Sequence, residues 1–156
     1  MKRFTILIAT GVLAWTSAHA TGGTSTNDPR FTDGKLQAIE KNLQMALESE
    51  SFGLQTSAAQ VVRDVKALVP RYEFSHLVIP LMRILKDESA PSASRVLAAL
   101  ALHDLGSERG DFAIKRVGEF THVGQVKLVC VSLARERLRQ ADRQDDPAAG
   151  PEGGPR

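Results

Sequence analysis

Between residues 33 and 141 apolar residues return every three or four positions, and no stretch alternates convincingly with a period of two. The first spacing belongs to a helix with one buried face and the second to a strand, so the chain reads as all-α. Leu36, Ile39, Leu43, Ala46 and Leu47 mark a first helix, with Asp33 as its expected N-cap. Leu54, Ala58, Val61, Val62, Val65, Leu68 and Val69 mark a second, closed by Pro70. Leu77, Val78, Leu81 and Leu85 mark a third, and a fourth runs from Ser92 to Leu105 and stops at Gly106. Ile114, Val117 and Phe120 mark a short fifth helix, and a sixth runs from Val126 to Leu138.

Two kinds of helix alternate. "SAAQVVRDV" (57–65), "VLAALALHDL" (96–105) and "KLVCVSLARE" (127–136) are small and apolar, whereas "NLQMALESE" (42–50), "IPLMRILKDE" (79–88) and "IKRVGEF" (114–120) carry one charged face. Ala58-Ala59 stands 40 residues before Ala98-Ala99, Asn42-Leu43 stands 38 before Pro80-Leu81, and Cys130 falls in register with Ala98. Self-similar helix pairs at that period predict a short right-handed α-solenoid of about three helical hairpins, each burying its apolar face on the next. Small side chains let the crowded helices approach one another. Gly106 ends the fourth helix because it enters the left-handed region without the penalty a side chain brings.

"SRVLAALALHDLGSERGDFAIKRV" (94–117) and "HLVIPLMRILKDES" (76–89) resemble the HEAT repeat family, including its short exported bacterial members. The first is similar to the family's Arg-x-x-Ala-Ala-x-Ala-Leu-x-x-Leu-Gly stretch, and the second carries Pro80 where a proline commonly sits. The resemblance covers residues 35–140. "GLQTSAAQVVRDVKALVP" (53–70) departs from it, with Lys66 where the closing glycine usually falls, and the sixth helix lacks that glycine too. A HEAT-like fold hosts many unrelated roles and names none. It implies that the charged helices line a concave side, where Asn42, Pro80 and Lys115 form one column and Met45, Arg83 and Gly118 the next. Lys41 and Arg116 add positive charge there, against Asp87 and Glu119. The expected partner-binding strip is therefore Lys41, Asn42, Met45, Pro80, Arg83, Asp87, Lys115, Arg116 and Glu119, offered to another protein or peptide.

The ends change the picture of charge and address. "MKRFTILIATGVLAWTSAHA" (1–20) has a basic start, an apolar run and an Ala-His-Ala cleavage site, the pattern of a signal peptide cut between Ala20 and Thr21. Its apolar run is shorter than the roughly 18–20 residues that span a bilayer, so no stable membrane anchor is expected and the address is the periplasm or the medium. Losing Lys2 and Arg3 from 20 basic residues leaves 18, against 18 acidic. That balance gives no support for nucleic acid as a partner. Residues 21–32 and the Gly/Pro-rich 142–156 read as flexible flanks of a repeat domain at 33–141.

Candidate chemistry is thin. His76, His103 and His122 are not paired at three or four residues on one helix, so no metal site is expected. Cys130 sits among Leu128, Val129, Val131 and Leu133, the setting of an inert buried thiol, and as the sole cysteine it forms no internal disulfide. Ser57, Ser92 and Ser94 lack a Gly-x-Ser-x-Gly context, and "GSERGD" (106–111) is no phosphate loop. No catalytic residue or cofactor is expected. The sequence points to an exported, non-enzymatic protein–protein interaction module; the alternatives are an envelope protein whose open ends assemble on copies of themselves, or an accessory subunit of an enzyme.

Overall fold

The computed structural model of the protein describes residues 31–144, which form six α-helices and, among those residues, no strand. They are α1 (Asp33–Leu47), α2 (Phe52–Leu68), α3 (Val78–Lys86), α4 (Ser92–Leu105), α5 (Glu108–Phe120) and α6 (Gly124–Gln144). One 3-10 turn, Ser75–Leu77, leads into α3. The chain is all-α. The signal-peptide reading, residues 21–30 of the expected N-terminal flank and residues 145–156 of the expected tail lie outside the described residues. α6 continues to Gln144, past the last apolar position at Leu138.

Local chemistry sets the helix ends. The Ser51 hydroxyl accepts the Leu54 amide at 3.4 Å to start α2, and the Ser107 hydroxyl accepts the Gly110 amide at 3.0 Å to start α5. α1 differs from expectation: Thr32 is the cap position, without a side-chain bond, and Asp33 is already helical. There its carboxylate faces the positive end of the helix dipole. α4 ends at Gly106, whose φ of 68° turns its amide onto the carbonyls of Leu102 and His103.

α2, α4 and α6 pack side by side with α4 in the middle, while α3 touches both α1 and α5. The two groups meet where α1 packs on α2, α3 on α4, and α5 on both α4 and α6. Thr56 bonds Ser94 at 2.7 Å and Arg63 bonds Asp104 at 2.7 Å; the numbers rise together, so α2 and α4 run the same way. Arg95 lies close enough to act on the Cys130 thiol, and His103 Nε2 is 3.8 Å from Glu136, so α6 runs that way too.

The core fills the space between these layers. Leu77, Leu81, Leu85 and Leu102 are wholly enclosed, each worth roughly 1.5–3 kcal/mol of apolar burial. Ala58, Ala59, Ala98, Ala99 and Ala101 are buried with them, and their small side chains permit the close approach of α2 and α4. Gly118 does the same for α5 and α6: a Cβ there would meet Cys130 Cβ at 3.2 Å and the Val131 amide nitrogen at 3.3 Å. Gly118 is thus a packing contact, which corrects its expected place in a surface column.

Candidate functional site

The strip expected from the sequence falls on the outer sides of α1, α3 and α5. Lys41, Asn42 and Met45 are exposed on α1, Arg83 and Asp87 on α3, and Lys115, Arg116 and Glu119 on α5. Pro80 corrects the reading, because it is buried on the side of α3 that turns towards α1. Pro80, Arg83 and Asp87 come together around a shallow groove of about 250 Å³, closed on its other side by Leu47, Glu48 and Gln55. The spacing of Pro80, Arg83, Ile84 and Asp87 puts all four on one side of the helix.

Asp87 closes α3 and is held in place locally. Its Oδ1 accepts the Ser89 hydroxyl at 2.6 Å and the Ser89 amide at 2.9 Å. The Ser89 hydroxyl bond, followed by the amide bond, lowers its carboxyl below the usual carboxylate range. Asp87 therefore stays a fixed negative charge beside the exposed Arg83.

Three large apolar residues on this side lie outside the expected strip. Ile79, Phe112 and Phe120 are exposed, the phenylalanines by 64% and 61%. Phe120, an apolar marker of its helix by periodicity, is not enclosed. Instead the Arg116 guanidinium lies over its ring, 4.4 Å from the centroid, a cation–π contact on the surface. The four-residue steps Phe112, Arg116, Phe120 were the available signal, since they place an aromatic, a cation and an aromatic on one helical stripe. A second groove of about 440 Å³ runs between the starts of α3 and α5, with Phe74, Val78, Ile79 and Leu105 as its apolar wall and Glu73 and Glu108 as acidic lining residues.

The residues with ionic or nucleophilic chemistry are engaged elsewhere. Glu40 is buried and accepts the His76 amide at 3.0 Å, the His76 ring at 3.2 Å and the Tyr72 hydroxyl at 3.2 Å. It thereby ties α1 to the turn before α3. Burial, with the Glu40 charge second, raises the Tyr72 phenol above its ordinary value. Arg95 is buried in α4, where Nε donates to the Leu85 carbonyl at 3.0 Å and Nη2 donates to the Thr121 hydroxyl at 3.4 Å. Its charge thus sits at the carbonyl ends of α3 and α5, the ends that favour a cation. His103 is mostly enclosed and lies 3.8 Å from Glu136.

Cys130 is fully buried, and burial pushes its thiol up to about 11. A thiolate there is disfavoured. Among the described residues no group of three or more His, Cys, Asp or Glu side chains is arranged to hold a metal ion. No helix among them is long and apolar enough to cross a membrane. No protein-family model matches the chain, and comparison with curated proteins and with solved structures finds no match.

Proposed function

We propose that the chain is an exported, non-enzymatic interaction module that holds another protein or peptide on the outer side of α1, α3 and α5. In this reading the fold is a short HEAT-like solenoid, and the three charged helices line its concave side. The observation that carries the reading is the exposed Phe112–Arg116–Phe120 stripe of α5, with Arg116 stacked on Phe120. Aromatic residues and arginine are the side chains enriched where proteins meet, because they bury much area at little cost in mobility. Met45 on α1 and Ile79 on α3 extend the apolar content, and Lys41, Arg83, Asp87, Lys115 and Glu119 supply the mixed charge of a rim.

The test is site-specific photo-crosslinking in the cell envelope. Probes at Arg83 and Phe120 should capture the same partner, and a probe at Gln60 on α2 should not. Arg83→Glu and Phe120→Ala should each abolish that capture while helix content by circular dichroism stays unchanged. Equal capture from both sides, or no effect of either substitution, defeats the proposal.

A further inference from the structure

The sequence shifts of 40 and 32 put Arg63, His103 and Arg135 at one position of α2, α4 and α6, and Asp64, Asp104 and Glu136 at the next. Inside the molecule the first kind of residue reaches forward to the second kind on the following helix. Arg63 Nε meets Asp104 Oδ2 at 2.7 Å, and His103 Nε2 faces Glu136 Oε2 at 3.8 Å. One base and one acid are left over at opposite ends of the row. Arg135 on α6 is exposed and has no ion pair among the described residues. Asp64 on α2 is exposed and, among the described residues, bonds only the Gln60 side-chain amide, at 2.9 Å.

A second pair of positions repeats the spacing, polar between α2 and α4 and apolar at the two ends. The shifts align Thr56, Val96 and Leu128 on the forward sides and Leu54, Ser94 and Val126 on the backward sides. Thr56 bonds Ser94 at 2.7 Å between α2 and α4, and Val126 is fully buried. Left over are Leu128 on α6, 75% exposed, and Leu54 on α2, 48% exposed. Val61 and Leu68 continue the open stripe of α2. The two ends thus carry the two halves of the contact that the fold makes internally between α2 and α4.

We propose that copies of this chain associate head to tail, α6 of one on α2 of the next, with Arg135 paired to Asp64 and Leu128 set against Leu54. Each end offers a different surface, so the contact is heterologous and continues from copy to copy. The pairing of two α6 ends is disfavoured because Arg135 and Arg139, both exposed there, meet their own counterparts. A single helix-on-helix contact buries on the order of 1,000 Å² or less over both copies, the low end for specific interfaces. Association is accordingly weak, salt-sensitive and visible at high concentration. It rests on the side-by-side order of α2, α4 and α6 and not on the partner strip of α1, α3 and α5, so either fails without the other.

Sedimentation velocity of the purified protein tests the proposal. The weight-average mass should rise with concentration, and Asp64→Arg or Arg135→Glu should each weaken association about tenfold or more. Mixing the two variants should restore it, because each then offers the charge the other lacks. In oxidising buffer Leu54→Cys and Leu128→Cys proteins should form a disulfide dimer on mixing and not separately. A mass that stays monomeric up to about 1 mM, charge variants that associate like the parent, no recovery on mixing, or a disulfide from Leu54→Cys alone overturns it.

Discussion

α2 and α4 are built from the same kind of sequence, yet one has neighbours on every side and the other has an open edge. Aligned at the shift of 40, Ala58-Ala59 and Ala98-Ala99 are buried in both. Val61 and Ala101 then part company: Ala101 is fully enclosed and Val61 is 42% exposed. Ala101 shares a side of α4 with Ser94 and Asp104, the residues that bond α2. Among the described residues no helix flanks the corresponding side of α2. Burial here follows position in the row, although both helices carry the same Ala-Ala pair and the same apolar spacing.

Their ends differ for a related reason. α4 must stop sharply to let α5 turn back onto it, and Gly106 takes the left-handed conformation that achieves this. At the matching point α2 has Lys66, continues to Leu68, and uses the Lys66 ammonium to hold the carbonyls of Pro70 and Tyr72 at 2.8 and 3.0 Å. A side chain gathers the loop where glycine would otherwise redirect it.

The largest effect is expected where the comparison is sharpest. Ala101→Asp places an unpaired carboxylate in the seam between α2 and α4, a mechanism that costs more than about 3–4 kcal/mol. The variant should lose most of its helix signal or its cooperative melting. A folded variant of near-parental stability would mean that α4 is not enclosed on that side.

Arg95→Ala comes next. Removing the guanidinium strips the Leu85 carbonyl and the Thr121 hydroxyl of a buried donor, for about 2–3 kcal/mol by chemical denaturation. Its counterpart in α2 is Gln55, which donates to the Ser49 carbonyl at the end of α1 at 2.7 Å and is only half-buried. Gln55→Ala should therefore cost about 1 kcal/mol or less. Equal costs would deny that enclosure sets the difference.

The helices, their order and their two alternating kinds were legible because periodicity reports which residues share a face. Periodicity does not report whether anything covers that face. Leu54, Val61, Leu68, Phe120 and Leu138 all fit the apolar pattern, and all are exposed at an edge or on the outer side. Pro80 failed in the opposite direction, since its column also contains a groove wall. Arg95 drew no attention as a site, because a charge inside an alanine-rich helix is read as surface until its two acceptors are in view. Cys130 was legible: apolar neighbours on both sides of a small residue leave little room for solvent.

That thiol supplies a smaller effect. Burial raises its pKa from 9.0 to about 11, so the unfolded chain releases its proton first as pH rises. Stability from this group is complete below pH 9 and is lost between 9 and about 11. Cys130→Ala should lose about 1 kcal/mol at neutral pH and show a shallower alkaline decline than the parent. A thiol reagent should label native protein slowly and denatured protein fast; rapid native labelling would place Cys130 outside the core.

The smallest expected effect is the most informative about the edge. Val61→Asp makes at the open side of α2 the same kind of change that Ala101→Asp makes in the seam of α4. The new carboxylate meets water, joins Asp64 three residues on as an exposed charge, and leaves the buried face of Ala58, Ala59 and Val62 untouched. Its cost should stay within about 0.5 kcal/mol, the range of surface changes away from special features, when measured in dilute solution where copies do not meet. At high concentration the same substitution should suppress association, because it puts a carboxylate in place of an apolar side chain in the Leu54, Val61 and Leu68 stripe that Leu128 must cover. Unfolding by Val61→Asp in dilute solution would show that the stripe is covered within a single chain, and the contrast between α2 and α4 would then disappear.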